Sequence, residues 1–297
     1  MLALAAGGAW GAEGGGATPP ALRQGPGHPL GDHRHAPEVW PCHAWAPRLP
    51  QVTPAQCRAA RLQPTAGRSV QGRTIYARDV AAVRPTRRVL VVGAIHGDEL
   101  SSASLALHWL RWAQETPAGA HWRFIPVLNP DGLLARRASR VNARGVDLNR
   151  NFPTPGWAEE APRHWAERTG RDPRRWPGPS PLSEPESRHL HEEMSRFQPD
   201  LIVSIHAPYG VLDFDGPGVA PSRLGRLYLD QVGIFPGSLG NYGGVHRRMP
   251  VVTIELPHAL KTPDEAEMRQ MWFDLLRWMD ERLGPPPPMT GLSDRGR

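Results

Sequence analysis

Short apolar runs rich in β-branched residues recur along this chain, separated by stretches with helical spacing. Residues 73–80 (RTIYARDV), 88–92 (RVLVV), 121–128 (HWRFIPVL), 201–205 (LIVSI) and 251–256 (VVTIEL) are each bounded by polar or glycine turn residues. That is the pattern of buried strands. Between them, residues 99–113 repeat leucine at Leu100, Leu105, Leu107 and Leu110. Residues 184–197 follow Ser183, with Glu186 three positions on, a capping-box signature. Residues 262–283 open Thr-Pro-Asp-Glu, which predicts Thr262 as N-cap, Pro263 at the first helical position and Glu265 at the third. Strands alternating with helices predict an α/β sheet with helices on both faces.

The remaining segments set the expected boundaries. Residues 1–36 are Gly/Pro/Ala-rich and lack periodicity, and read as a leader and linker; residues 37–68 read as an irregular extension. One compact domain is expected to follow, interrupted by a Pro/Trp/Arg-rich insertion at 151–181 and followed by a disordered tail at 285–297. The formal charge of +6 comes almost wholly from arginine, since Lys261 is the sole lysine. The arginines are scattered rather than clustered with interleaved aromatics, so no nucleic-acid partner is expected. A positive field instead favours a substrate bearing carboxylates. No apolar run approaches the ~20 residues that span a bilayer. The opening MLALAAGGAWGA is similar to the core of a secretion signal. Cys42 and Cys57 are either unrelated thiols or a disulfide closing a short loop. A disulfide needs an oxidising compartment, so a periplasmic or secreted location is expected, with a cytoplasmic one as the alternative.

Metal hydrolases hold a metal through N or O ligands, leave one position open and place a base nearby. His-x-x-Glu is a common source of ligands, but the chain has four copies: His35/Glu38, His96/Glu99, His164/Glu167 and His189/Glu192. Context selects one. His35 lies in the leader, His164 in the insertion, and His189/Glu192 on an expected surface helix. His96 follows the buried run 88–92 through Gly93-Ala94-Ile95, and Glu99 opens the next helix. In open α/β sheets the ligand crevice lies at the carboxyl ends of the strands. Gly93 and Gly97 are expected to allow the turn that points both side chains there. His206 similarly ends 201–205, and Glu255 is a lone acid inside an apolar strand, where an unpaired carboxylate is costly unless it has a task. A structural salt bridge is the competing reading for Glu255.

The segments GAIHGDE, NPDG, R-x-N-x-x-GVDLNRNFP, SEPE, SIHAP and TIELP, in this order, resemble the zinc carboxypeptidase family. The stretches SIHAPYGVLDFDGPG and GSLGNYGGVHRR resemble its bacterial murein peptide amidase branch more than its digestive enzymes. The resemblance implies a single carboxypeptidase-like catalytic domain over 69–284, with a mixed, mainly parallel sheet flanked by helices on both faces. It implies one Zn2+ held by His96, Glu99 and His206, with Asp147 orienting a ligand histidine. Arg140 would polarise the scissile carbonyl, Asn149 and Arg150 would grip a free carboxylate, and Glu255 would be the general base. Tyr242 stands where a substrate-capping tyrosine is sought, although it lies closer to the base than in the digestive enzymes. The implied substrate is a small peptide with free carboxylates, a murein tripeptide cleaved between γ-D-glutamate and diaminopimelate. The alternatives are a carboxypeptidase on ordinary L-peptides, a zinc deacylase of the aspartoacylase or succinylglutamate desuccinylase type, and an inactive wall-peptide binder.

Overall fold

Val89, Leu90, Val91 and Val92 are all buried, so both faces of their strand are covered. A strand of this kind belongs at the centre of a parallel sheet. The computed structural model describes residues 41–283; the leader over 1–36 and the tail over 285–297 lie outside the described residues. In chain order the elements are α1 (Cys42–Trp45), α2 (Pro54–Ala59), β1 (Gln63–Arg68), β2 (Thr74–Ala81) and β3 (Arg87–Val92). Then come α3 (Leu100–Glu115), β4 (Ala120–Ile125), α4 (Pro130–Leu134), a 3-10 turn (Leu148–Arg150), α5 (Trp157–Arg168) and a second 3-10 turn (Pro173–Arg175). They are followed by α6 (Pro185–Phe197), β5 (Leu201–His206), β6 (Val211–Asp215), β7 (Arg223–Leu224) and β8 (Leu227–Tyr228). A π-helical turn (Gly240–His246), β9 (Val251–Glu255) and α7 (Glu265–Arg282) complete the fold.

Seven strands pair in the order β1-β2-β4-β3-β5-β9-β6. The four central strands are parallel, and the pairings β1–β2, β2–β4 and β6–β9 are antiparallel. The chain leaves β3 through α3 to reach β4 on one side, and later places β5 on the other side of β3. The carboxyl ends of β3 and β5 therefore flank a switch point, where a crevice opens. On one face α1, α2, α3 and α7 pack with Val89, Val91, Val203 and Ile254, around Trp109, Trp122 and Trp272. On the other, α6 and the π-helical turn cover Leu90, Val92, Ile202 and Val251. Among the described residues no helix is long and apolar enough to cross a membrane.

Several local expectations change. The segment 37–68, expected to be irregular, supplies two short helices and β1, so the sheet begins before residue 69. Cys42 and Cys57 form a disulfide across a separation of 15 residues, tying α1 to α2; closing such a loop stabilises a fold by about 3 kcal/mol in the chain-entropy model. The run 121–128 stops being strand at Ile125, because Pro126 has no N–H to donate and the Gly93 amide takes the Ile125 carbonyl. No capping box forms at α6: Glu186 instead accepts from the Val70 amide and from Asn142, joining the helix start to the segment after β1. At α7 the cap is Asp264 rather than Thr262; its carboxylate accepts from the Glu267 amide at 2.8 Å. The insertion 151–181 holds α5 and a 3-10 turn, and it buries Phe152 and Trp157. His189, expected on an exposed face, is buried.

Candidate active site

The turn after β3 places the first two chemical groups. Its left-handed residue is Ala94 (φ 40°), not a glycine, a conformation uncommon outside glycine and often found at functional sites. Gly97 is required for a different reason. A Cβ there would lie 2.3 Å from the backbone of Gly132 and Leu133, so the His96 loop can nest on the NPDG turn only without a side chain.

His96 and Glu99 then meet His206 from the end of β5. The two Nδ1 atoms are 3.2 Å apart. His96 Nδ1 lies 2.7 Å from one Glu99 oxygen, and His206 Nδ1 3.0 Å from the other. All three side chains are buried, and they form the one cluster of metal-ligand type among the described residues. Each ring has its other nitrogen engaged: His96 Nε2 donates to Asp147 at 3.0 Å, and His206 Nε2 lies 3.0 Å from Ser204 Oγ. The two Nδ1 atoms are thus left to face one point. Tetrahedral zinc with bonds of about 2.0–2.2 Å separates its donors by roughly 3.3–3.5 Å. The donor set and its spacing fit such an ion with small adjustments.

The charges agree with a cation site. Burial opposes ionisation of Glu99, yet His96 and His206 outweigh it and hold the carboxyl far below its usual range. Asp147 is likewise held low against burial, by Arg140 and His96. Burial and Arg140 work against a charged His96, but Glu99 and Asp147 prevail and raise it.

Arg140 donates Nε and Nη2 to Asp147 at 3.1 and 3.0 Å, and its Nη1 reaches to 3.5 Å from Glu99. This holds one edge of the guanidinium against the metal cluster. Asp147 therefore fixes His96 and Arg140 at once. Arg150 donates to the Asn149 carbonyl at 2.6 Å, and its Cζ lies 4.5 Å from the Phe235 ring centre. It has no carboxylate in bonding range among the described residues, and burial lowers its pKa to about 10. Asn149 turns its Oδ1 to the Leu239 amide at 2.8 Å and lines the same cleft. Glu255, paired across the sheet with His206, has one buried oxygen without a hydrogen-bond partner. Its pKa is raised, chiefly by burial and also by Glu99, against His206 and His96.

Tyr242 is a correction. It does not line the cleft. Its ring stacks on Phe152 in the core beneath the sheet, and its hydroxyl is engaged by His191 and Arg247 at 2.8 and 2.7 Å. The π-helical turn that carries it points the ring away from the metal cluster. The exposed tyrosine at the cleft is Tyr209, three residues after His206. Sequence reasoning also missed Arg175, Phe235, Asp213 and Asp215, all of which line the cleft. The two aspartates alternate along β6 on the face shared with Glu255, as the β6–β9 register shows. Acids at alternate positions of an apolar strand were a usable signal. The insertion gave none for Arg175.

The fold and this site together define a metallohydrolase of the carboxypeptidase kind. The chain matches the family model for zinc carboxypeptidases over residues 55–213 and belongs to that family. Among curated proteins it is 33% identical over 201 residues to murein peptide amidase A of Escherichia coli K12, covering 64% of this chain and 79% of the relative. It is also 33% identical over 185 residues to murein peptide amidase A of Vibrio campbellii, covering 60% of this chain and 72% of the relative. Among solved structures, the murein-tripeptide amidase of Escherichia coli O157 aligns with a TM-score of 0.54 and 28% identity, over 73% of this chain and 92% of that one. Carboxypeptidase A of Helicoverpa armigera shares the fold, with a TM-score of 0.57 and 19% identity over 75% and 70% of the two chains.

Proposed function

We propose that this hydrolase cleaves the amide between γ-D-glutamate and diaminopimelate in murein peptides, using one zinc ion held by His96, Glu99 and His206. The observation that carries the metal reading is the convergence of two Nδ1 atoms and a carboxylate within 3.2 Å. A zinc ion there would act as a Lewis acid on the scissile carbonyl and on water.

The chain's own groups account for the rest. Glu255 has a buried oxygen free to accept the proton of an attacking water, and its raised pKa lets it hold that proton and return it to the leaving amine. Arg140, fixed by Asp147 at the cluster's edge, stands ready to stabilise the developing oxyanion. Arg150 and Asn149 hold the carboxylate of the leaving residue; a guanidinium suits this through paired hydrogen bonds. The far wall carries Asp213 and Asp215, an environment for an ammonium group such as the distal amine of diaminopimelate. The similarity to murein peptide amidases supports this substrate over ordinary peptides.

The test is incubation of the zinc-loaded protein with L-Ala-γ-D-Glu-diaminopimelate. Release of free diaminopimelate, seen by mass, is expected. Hydrolysis of N-acyl amino acids or plain L-peptides instead would overturn the substrate assignment. We also propose a periplasmic or secreted location, supported by the Cys42–Cys57 pairing. Intact mass of native protein under non-reducing conditions tests it; two free thiols would oppose it.

A further inference from the structure

We infer that Arg175, carried to the cleft by the insertion, is a specificity-determining residue that binds a second substrate carboxylate, on the acyl residue beside the scissile bond. The inference rests on the proposed murein substrate and adds how its acyl side is read.

The arginines at the cleft have different commitments. Arg140 is taken up by Asp147, and Arg150 serves the leaving residue's carboxylate. Among the described residues, the one carboxylate paired with Arg175 is Asp172, at a loose 3.7 Å. Its position is nevertheless fixed from both sides. The preceding residue, Arg174, pairs with Asp98 of the metal-binding turn at 2.6 Å. The following residue, Trp176, accepts through its carbonyl from the amide of Asp147 at 2.8 Å. The insertion is thus anchored to the loop that holds His96 and Glu99 and to the residue that backs His96. An arginine held between two such anchors is placed for a ligand, not left loose on a surface.

The side of the cleft is also defined. Arg175 lines a neighbouring hollow with Asp98, Glu99, Arg140, Pro208 and Tyr209. Asn149, Arg150, Phe235 and the aspartate wall are absent from that hollow and belong to the main cleft. If Arg150 marks where the leaving residue sits, the hollow across Glu99 and Arg140 takes the acyl residue. An ordinary α-linked peptide has no backbone carboxylate there. A γ-linked glutamyl residue does, because its α-carboxylate remains free a few carbons from the scissile carbonyl. A loosely paired guanidinium on this side, beside Arg140 and Arg174 that are each held by a carboxylate, reads that difference in linkage. The local field agrees: after burial and against Asp147, Arg140 and Arg175 both act to lower the pKa of Arg150, so the region gains from more than one anion.

The test compares kcat/KM on L-Ala-γ-D-Glu-diaminopimelate with that on the analogue whose glutamyl α-carboxylate is an amide. The zinc-loaded wild type is expected to prefer the acid by about 10- to 100-fold, the scale of one charge-assisted hydrogen bond. In Arg175→Gln that ratio collapses, mainly through a raised KM for the acid, and Arg175→Lys restores part of it. A ratio within one variant does not depend on how much of the preparation is folded. Equal rates on the two peptides by the wild type, or an unchanged preference in Arg175→Gln, overturn the inference while leaving the proposed function intact. Hydrolysis of neither peptide by the wild type removes the murein reading and this inference together.

Discussion

His96/Glu99 and His189/Glu192 are the same four-residue pattern in two settings, and the fold uses them oppositely. The first lies on an irregular turn at the carboxyl end of β3, where Ala94 is left-handed and Gly97 nests against the next turn. Its histidine and glutamate converge with His206, and Asp147 fixes the ring from behind. The second lies inside α6. There His189 is buried, with Nε2 3.2 Å from Thr65 Oγ1, while Glu192 is exposed. Helical spacing puts two such residues near one another, but in α6 one packs inward and the other faces water. A metal pair needs a backbone that turns both side chains toward a shared point, and a strand end at a switch point supplies it.

The largest expected contrast follows from exchanging their fates by mutation. His96→Ala should lower bound zinc, measured by atomic spectroscopy, to the level of a metal-free control and abolish hydrolysis. His189→Ala should keep both. If the His189 variant lost zinc while the His96 variant kept it, the assignment of the centre would be wrong.

Next in size is the base. Glu255→Gln retains all three ligands and the shape of the side chain, but cannot take a proton. A drop in kcat of about 10²–10⁴-fold is expected with zinc content unchanged. A rate within a few-fold of wild type would reduce Glu255 to a structural acid.

The third contrast is in stability and belongs to the α6 pair alone. A Cβ on Gly67 would lie 2.4 Å from the His189 ring. The ring is buried and cannot move away freely, so Gly67→Ala should destabilise by about 1–3 kcal/mol in urea unfolding, the usual range for overpacking. The zinc content of the folded fraction should be unaltered. A neutral effect would mean that β1 and α6 are not closely packed at this point.

These differences show what could be read from the residues themselves. Glu255 was legible because one acid in an apolar strand is conspicuous by its cost, and His96 and His206 because strand ends are predictable from strands. Asp213 and Asp215 obey the same logic, yet they sit in a run that leads into Gly216 and looks like a turn. Tyr242 was misplaced because the facing of a residue in a π-helical turn depends on hydrogen bonds that skip an extra residue, such as Arg247 N–H to Tyr242 O. Arg175 was illegible for another reason: its placement depends on Asp98 and Asp147, both distant in sequence. The two helix starts at Ser183 and Thr262 had good local signals, but tertiary partners for Glu186 and a nearer cap at Asp264 won.

The smallest expected effect concerns two carboxylates on one face of the sheet, Glu255 and Asp215. Glu255 lies against the histidines, which partly offset its burial. Among the described residues Asp215 has no such neighbour: burial, and then Asp213, raise its pKa to about 6. In the unfolded chain an aspartate titrates near 3.9. Between those values the folded state holds a proton that the unfolded state has released. The contribution of Asp215 to stability is therefore fully present below about pH 4 and is lost as the pH rises through about 6. Asp215→Asn removes this term, so its melting temperature should fall less than that of the wild type between about pH 4 and pH 6.5. The difference between the two curves isolates Asp215 from other titrating groups. Parallel curves would mean that the aspartate wall is already neutralised by a partner, and a cationic substrate group would find no free charge there.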